Sequence, residues 1–258
     1  MPRRLLALIA LVGALTVIAC QGAPAAPVLT DPKEILTQSI LSLNNVKTLQ
    51  IQGDLTGTVQ VPNSGALDLK GTSLSLDADI AGKKAHVTVS VPSFMGTSAE
   101  AIVLDNVAYF KMTGPLAGML GADVTGKFKK SDLPEASGEP GQIVTDPTKA
   151  IAELKAQLDK LPAPTKAADE KCGDQDCYHT TLKLTANDLA ALSSAAPDAS
   201  MGAATLTLDV WSRKNDLRPA KLALGVDAGD QGSGTVTFTI TYDQAITIAA
   251  PPADQIAP

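Results

Sequence analysis

The chain is short of most groups that carry out catalysis. Its 258 residues include two histidines (His86 and His179), three cysteines, one tryptophan and only 3% aromatic side chains. There is no HExxH or CxxC pattern, so metal catalysis has few ligands to draw on. There is no G-x-S-x-G elbow to present an activated serine. Lysine and arginine total 21 against 27 acidic residues, a net charge of −6. That balance excludes a protein built to displace counterions from nucleic-acid phosphates. Charged residues make up only 19% of the chain and hydrophobic ones 45%, which excludes a disordered polyelectrolyte. With so few rings, the core must be filled by Val, Leu, Ile and Ala.

The N-terminus has its own chemistry. Arg3 and Arg4 precede an uncharged apolar run, Leu5 to Ile18, which is signal-peptide length and too short to span a bilayer comfortably. The run ends in Val17-Ile18-Ala19-Cys20, the lipobox pattern of bacterial lipoproteins. A small residue suits the scissile bond, and only a thiol can accept a diacylglyceryl thioether. Residues 1–19 therefore read as a lipoprotein signal peptide and Cys20 as the acylated residue. An ordinary cleaved signal with an incidental cysteine is the rival reading. Removing residues 1–19 takes away two arginines and no acid, leaving 19 Lys and Arg against 27 acids, a charge of −8. Several acyl chains, at about 0.8 kcal/mol per buried CH₂, would hold the domain on a membrane. Residues 20–30, small and Pro-containing, read as a lipidated tether. The expected location is the cell membrane, lipid-anchored, on the extracytoplasmic side.

Cys172 and Cys177 lie in Cys-Gly-Asp-Gln-Asp-Cys. In an exported chain a disulfide is the natural reading. A metal site with His179 nearby is the alternative, although no metal or other cofactor is expected from so sparse a ligand set. Asp174 and Asp176 lack the extended acidic loop of an EF-hand.

Beyond the tether, Asp31-Pro32 opens an amphipathic helix over 32–44, with Leu36, Ile40 and Leu43 on one stripe. Alternation with period two follows. Leu49, Ile51, Leu55, Val59 and Val61 share a dry phase that also contains Gly53 and Gly57, and polar residues share the other phase. From Ala66 to Ile80 the alternation slips phase, which predicts a bulge or bend near Gly71–Ser73. Ala85 to Val91, Ala101 to Val103 and Val107 to Met112 continue the pattern. Residues 112–127 are apolar and Gly-rich and read as a loop, with Gly114, Gly118 and Gly121 allowing it to act as a gate. Residues 129–145 read as a second loop. Asp146-Pro147 opens another amphipathic helix over about 147–160. Strands return at Leu182–Leu184, Leu206–Val210, Leu222–Val226, Val236–Tyr242 and Ile246–Ile248, with a short helix over Asn187–Ser194. Residues 251–258 read as a flexible tail.

The sum is nine or ten antiparallel strands and two main helices. The fold class is α+β: one large curved antiparallel sheet, a half-barrel, with helices over its concave face, spanning residues 31–250. Two helices of three or four turns cannot fill so broad a hollow. The concave side is therefore expected to keep an apolar cavity. The dry phases nominate Leu55, Val59, Leu74, Leu76, Val89, Val103, Leu206, Leu208, Leu224 and Phe238 as its lining. Leu116, Met119 and Leu120 in the 112–127 loop are nominated to touch lipid. No catalytic residue is nominated: His86 lies on a polar strand phase, His179 follows the cysteine turn, and Asp77 and Asp79 face solvent.

The order of these motifs resembles a known family. A lipobox at Cys20, a short tether, an Asp31-Pro32 helix, long alternating strands and an Asp146-Pro147 helix come first. Cys172-Gly173-Asp174 through Cys177-Tyr178 follows, then Val210-Trp211 with Pro219 and Lys221. Over the mature chain this is similar to the LppX/LprG-type lipoproteins of mycobacteria and related bacteria. The LolA/LolB lipoprotein carriers have a similar half-barrel. The resemblance implies a non-enzymatic protein that binds acylated lipid or glycolipid in a hydrophobic cavity. It also implies that the protein carries this lipid within the cell envelope, with an envelope transporter as a partner. A surface-exposed structural or interaction lipoprotein without a ligand cavity is the alternative.

Overall fold

A computed structural model describes residues 28–61, 65–93, 95–115, 117, 126–132, 147–188 and 204–257. Thirteen strands form a single open sheet: β1 (Thr48–Val61), β2 (Gly65–Asp68), β3 (Thr72–Asp79), β4 (Lys84–Val91), β5 (Thr97–Leu104), β6 (Val107–Thr113), β7 (Lys129–Asp132), β8 (Thr165–Lys166), β9 (Glu170–Cys172), β10 (Gln175–Thr185), β11 (Thr205–Arg213), β12 (Pro219–Asp227) and β13 (Gly232–Tyr242). Helices α1 (Pro32–Leu41) and α2 (Pro147–Leu158) accompany it.

The strand order is β7-β6-β5-β4-β3-β1-β13-β12-β11-β10-β8, with β2 paired to β1 and β9 to β10. Every named pair is antiparallel. The first and last strands thus meet in the middle, and each flank is a meander of neighbouring hairpins. The expected α+β half-barrel is the observed architecture.

Local chemistry accounts for the elements. The Asp31 carboxylate accepts the N–H groups of Lys33 (2.8 Å) and Glu34 (3.3 Å), and Pro32 has no N–H to satisfy. α1 ends at Leu41 and a 3₁₀ turn, Ser42–Asn45, completes the run. Ile35, Leu36 and Ser39 are its buried residues. α1 lies against α2, β8, β10 and β11. Leu36, Leu158 and Val210 form one buried cluster, with Ile40, Leu161, Leu208 and Leu222 around it. Val46, Ile240 and Tyr242 form a second. Below α1, the Ser39 hydroxyl donates to that of Ser212 at 2.5 Å, both buried.

Four sequence expectations are corrected. The phase slip after Ala66 is a break between two strands: β2 and β3 both pair with β1, and Leu69–Gly71 steps between them. Residues 129–132, read as loop, form edge strand β7, whose four residues are all exposed. An edge strand wet on both faces needs no apolar alternation. Ile246 and Ile248 belong to no strand. Residues 251–257 are not a loose tail: the Phe128 N–H donates to the Gln255 carbonyl (2.8 Å), the Ala257 N–H donates to the Phe128 carbonyl (2.8 Å), and Pro251 is buried. The backbone groups of Phe128 that β6 does not use find their partners there. The signal peptide, Cys20 and most of the 112–127 and 187–194 expectations lie outside the described residues.

Candidate functional site

Strand register decides which side chains share a face, because directly opposed residues point the same way. One row reads Leu182, Leu208, Leu224, Val236, Leu55, Thr72 across β10, β11, β12, β13, β1 and β3. The next reads Val210, Leu222, Phe238, Gly53, Leu74, Val89, Ala99, Met112. A third joins Ile240, Ile51, Leu76, Val87, Ala101 and Phe110, and a fourth includes Ala78, Ala85 and Val103. Leu206 faces Val226, and Val59 faces Gly232. All ten strand residues nominated from the sequence therefore lie on one apolar face, the concave one.

Their surroundings differ. Leu208 packs with the cluster beneath the helices. Phe238 lies over Gly53: a side-chain carbon built there would fall 2.8 Å from the phenyl ring, so the ring occupies the space the glycine leaves. Leu74, Leu76, Val89 and Val103 are half-buried. Leu55, Val59 and Leu224 line a pocket of about 450 Å³ at one end of β1, β12 and β13. Val236, Val226, Leu69, Ala228, Gly232 and Gly234 complete its apolar part, and Gln60, Gln231 and Ser233 stand among them. Leu116, Met119 and Leu120 lie outside the described residues.

Those additional residues were missed by the lining list, yet a signal for them existed. Gly57, Gly232 and Gly234 all fall on the dry phase. Gly57 (φ +123°) and Gly232 (φ +114°) take left-handed conformations where β1 and β13 approach too closely for a Cβ. At Gly57 and Gly232 the facing backbone takes the side-chain position, whereas Gly234 leaves its own open to the pocket.

The opposite, convex face is polar. Glu100 bridges His86 (Oε1 to Nε2, 2.9 Å) and Lys111 (Oε2 to Nζ, 2.7 Å). Burial pushes its pKa up, but the bonds to Lys111 and His86 outweigh this and hold it below the usual value. The His179 ring meets Glu170 through Nδ1 (3.1 Å) and Asp209 through Nε2 (2.9 Å) and stacks on Trp211 at 4.3 Å. The Trp211 indole N–H donates to Glu170 at 3.1 Å. Both imidazole nitrogens of His179 are therefore engaged by carboxylates. Cys172 and Cys177 are joined in a disulfide. Among the described residues no cluster of His, Cys, Asp or Glu is arranged to hold a metal ion. Among them, too, no helix is long and apolar enough to cross a membrane, which says nothing about spanning by strands.

An open antiparallel half-barrel with helices over part of its concave face and an apolar pocket there defines the structural class. Solved structures place the chain more closely. It is similar to LprF of Mycobacterium bovis, at 15% identity and a TM-score of 0.50 over 85% of this chain and 96% of that one. It also resembles the lipoprotein LppX of Mycobacterium tuberculosis, at 12% identity and a TM-score of 0.49 over 84% and 98%. A LolA-superfamily protein of Nitrosomonas europaea aligns at 7% identity and a TM-score of 0.30 over 84% and 96%. No protein-family model and no curated protein sequence matches the chain. The likeness to LprF concerns the fold, and it supports the expected LppX/LprG-type half-barrel.

Proposed function

We propose that this chain is a membrane-anchored lipoprotein, acylated at Cys20, on the extracytoplasmic side of the cell membrane. It binds acylated lipid or glycolipid on its concave face and carries it within the cell envelope. One observation carries the reading: a continuous aliphatic face that the helices cover only in part and that ends in a pocket of about 450 Å³, within the usual range for ligand sites. A fully filled core would have favoured the structural or interaction alternative. Acyl chains moving from a bilayer into this hollow exchange one apolar environment for another, so the transfer loses no hydrophobic stabilisation. The protein's contribution is to spare the chains exposure to water on the way. Gln60, Gln231 and Ser233 offer hydrogen bonds to whatever polar group remains at the rim. No catalytic step is assigned, and an envelope transporter is the proposed partner at the membrane.

The test is direct. The Cys20→Ser protein, purified without detergent, is examined by native mass spectrometry and titrated with a fluorescent fatty-acyl probe. Bound lipid and saturable uptake are expected. Gly234 faces the pocket with an ordinary backbone conformation, and its added Cβ would stand 3.4 Å from the nearest atom. Gly234→Leu should therefore push a side chain into the hollow and weaken uptake about tenfold while the fold persists. A protein that emerges without lipid and takes up no probe would refute the reading.

A further inference from the structure

The tether and the pocket stand at opposite ends of the strands. Val28 and Leu29 lie beside the turn between β11 and β12 and the turn closed by the disulfide. The Leu29 N–H donates to the Tyr178 hydroxyl at 3.1 Å, and Val28 shares a hollow with Asp174, Tyr178, Lys214 and Asn215. The pocket instead adjoins the turn between β12 and β13, through Ala228 and Gln231. Strand β12 alone joins these two turns. Its nine residues cover about 26 Å at ~3.3 Å each. Strands β1 and β13 repeat the measure, from the pair Leu49–Tyr242 near the tether to the pair Val59–Gly232 at the pocket, about 33 Å.

The tether is short on this scale. Eight residue steps separate Cys20 from Val28. Fully stretched they reach about 28 Å, and as a flexible chain about 16 Å. A domain held this way stands with its tethered end near the bilayer and its pocket on the far side. Turning the pocket down to the same bilayer would draw the tether out to nearly its whole length. Three exposed large apolar side chains stand at the far end, Val59 and Val226 at the pocket and Met95 in the turn between β4 and β5, while Val28 is exposed at the tethered end. Asp68, Asp227 and Asp230 stand at that end too, and the Lys70 backbone N–H donates to the Asp68 carboxylate. A lipid surface of low negative charge suits that end better than a strongly anionic one.

We propose that the anchored protein exchanges lipid in trans, presenting its pocket to a second lipid surface rather than to the leaflet that holds its own anchor. This rests on the lipid-carrier reading and on acylation at Cys20.

The experiment uses the full-length acylated protein in phosphatidylcholine vesicles with pyrene-labelled diacylglycerol as probe. The probe is placed either in the same vesicles or in a second, protein-free population, and loading is read as loss of pyrene excimer emission. Loading from the second population should be faster than loading in cis by about fivefold, because a tether that spans the gap only when nearly fully stretched gives a low effective concentration. Inserting about twenty Gly/Ser residues after Gly22 lengthens the tether to roughly 29 Å root-mean-square. The insertion should raise the cis rate about fivefold and leave the trans rate within about twofold. Native cis loading that equals or exceeds trans loading, or that ignores the insertion, overturns the inference. The lipid-carrier reading fails separately, if neither the anchored protein nor soluble Cys20→Ser protein takes up the probe from any vesicle.

Discussion

The two flanks of the sheet share one sequence pattern and have different fates. From β10 to β12, helices α1 and α2 press on the concave face around Leu208, Val210 and Leu222. Leu182 (2% exposed), Leu184 and Val210 are buried there, and even the hydroxyls of Thr180 and Ser212 are sealed. From β3 to β6 the alternation is just as regular, yet Leu74, Leu76, Val87, Val89 and Val103 stay half-buried and Phe110 is 42% exposed. On that flank's concave face the fully buried residues among those described are small: Thr72, Ala78, Ala85 and Thr97. The lesson is that period-two alternation marks a face as dry without saying what dries it. Under the helices the answer is protein; along β3 to β6 and at the pocket end of β1, β12 and β13 it is proposed to be lipid.

The open flank relies more on its convex side. Glu100 ties β5 to His86 on β4 and Lys111 on β6. Paired hydroxyls join Ser75 to Thr88 and Ser98 to Thr113. The C-terminal residues add a clasp at Phe128, next to edge strand β7. Lys111 also stands over the Phe128 ring at 4.3 Å. A half-exposed apolar face gains less from burial, so polar bonds on its back carry more of its cohesion.

The sharpest test of this contrast is one substitution made twice. Leu182→Ala should cost about 3 kcal/mol in urea unfolding, because it opens a cavity under packed helices. Leu76→Ala should cost less, about 1.5 kcal/mol, since part of its side chain stays in water in the folded protein. Equal costs would mean that both flanks are packed alike. Next in size is the disulfide on the helix-covered side. Replacing Cys172 and Cys177 together by serine should cost about 2 kcal/mol, as expected for releasing so short a loop, and calorimetry of the double variant would measure it.

The smallest expected effect depends on pH and belongs to the open flank. Glu100 titrates below its usual value near 4.5 in the folded protein. Its contribution is therefore complete above that pH and fades as acid carries the solution through the depressed value. Glu100→Gln should lower stability at neutral pH by less than about 1 kcal/mol, since the group is partly screened by solvent. Variant and parent should converge as the pH falls through that depressed value. A gap that persists in acid would show that the residue acts by shape rather than charge.

Much of this architecture can be read from residue order. Alternation placed the ten nominated strand residues on one face, and the Asp31-Pro32 pair announced the start of α1. Strand β7 was hidden because Lys129-Lys130-Ser131-Asp132 has no apolar member, and an edge wet on both sides leaves no periodic trace. Ile246 and Ile248 misled for the opposite reason, since two alternating isoleucines look the same whether or not a partner strand exists. The pocket was only half visible. Leu55, Val59 and Leu224 were found by phase, whereas Val226, Val236 and the glycine patch needed the register of β1 against β13.

What the amino-acid order settled alone is local: which faces are dry and where the helices begin. Those features depend on neighbours along the chain, on a period of two or on a cap three residues away. Which dry surfaces meet helices, and which end of the strands bears the pocket while the other receives the tether, was decided only in three dimensions. The reason is that β1 pairs with β13 across nearly the whole chain, and such long-range pairing leaves no mark in any short stretch of sequence.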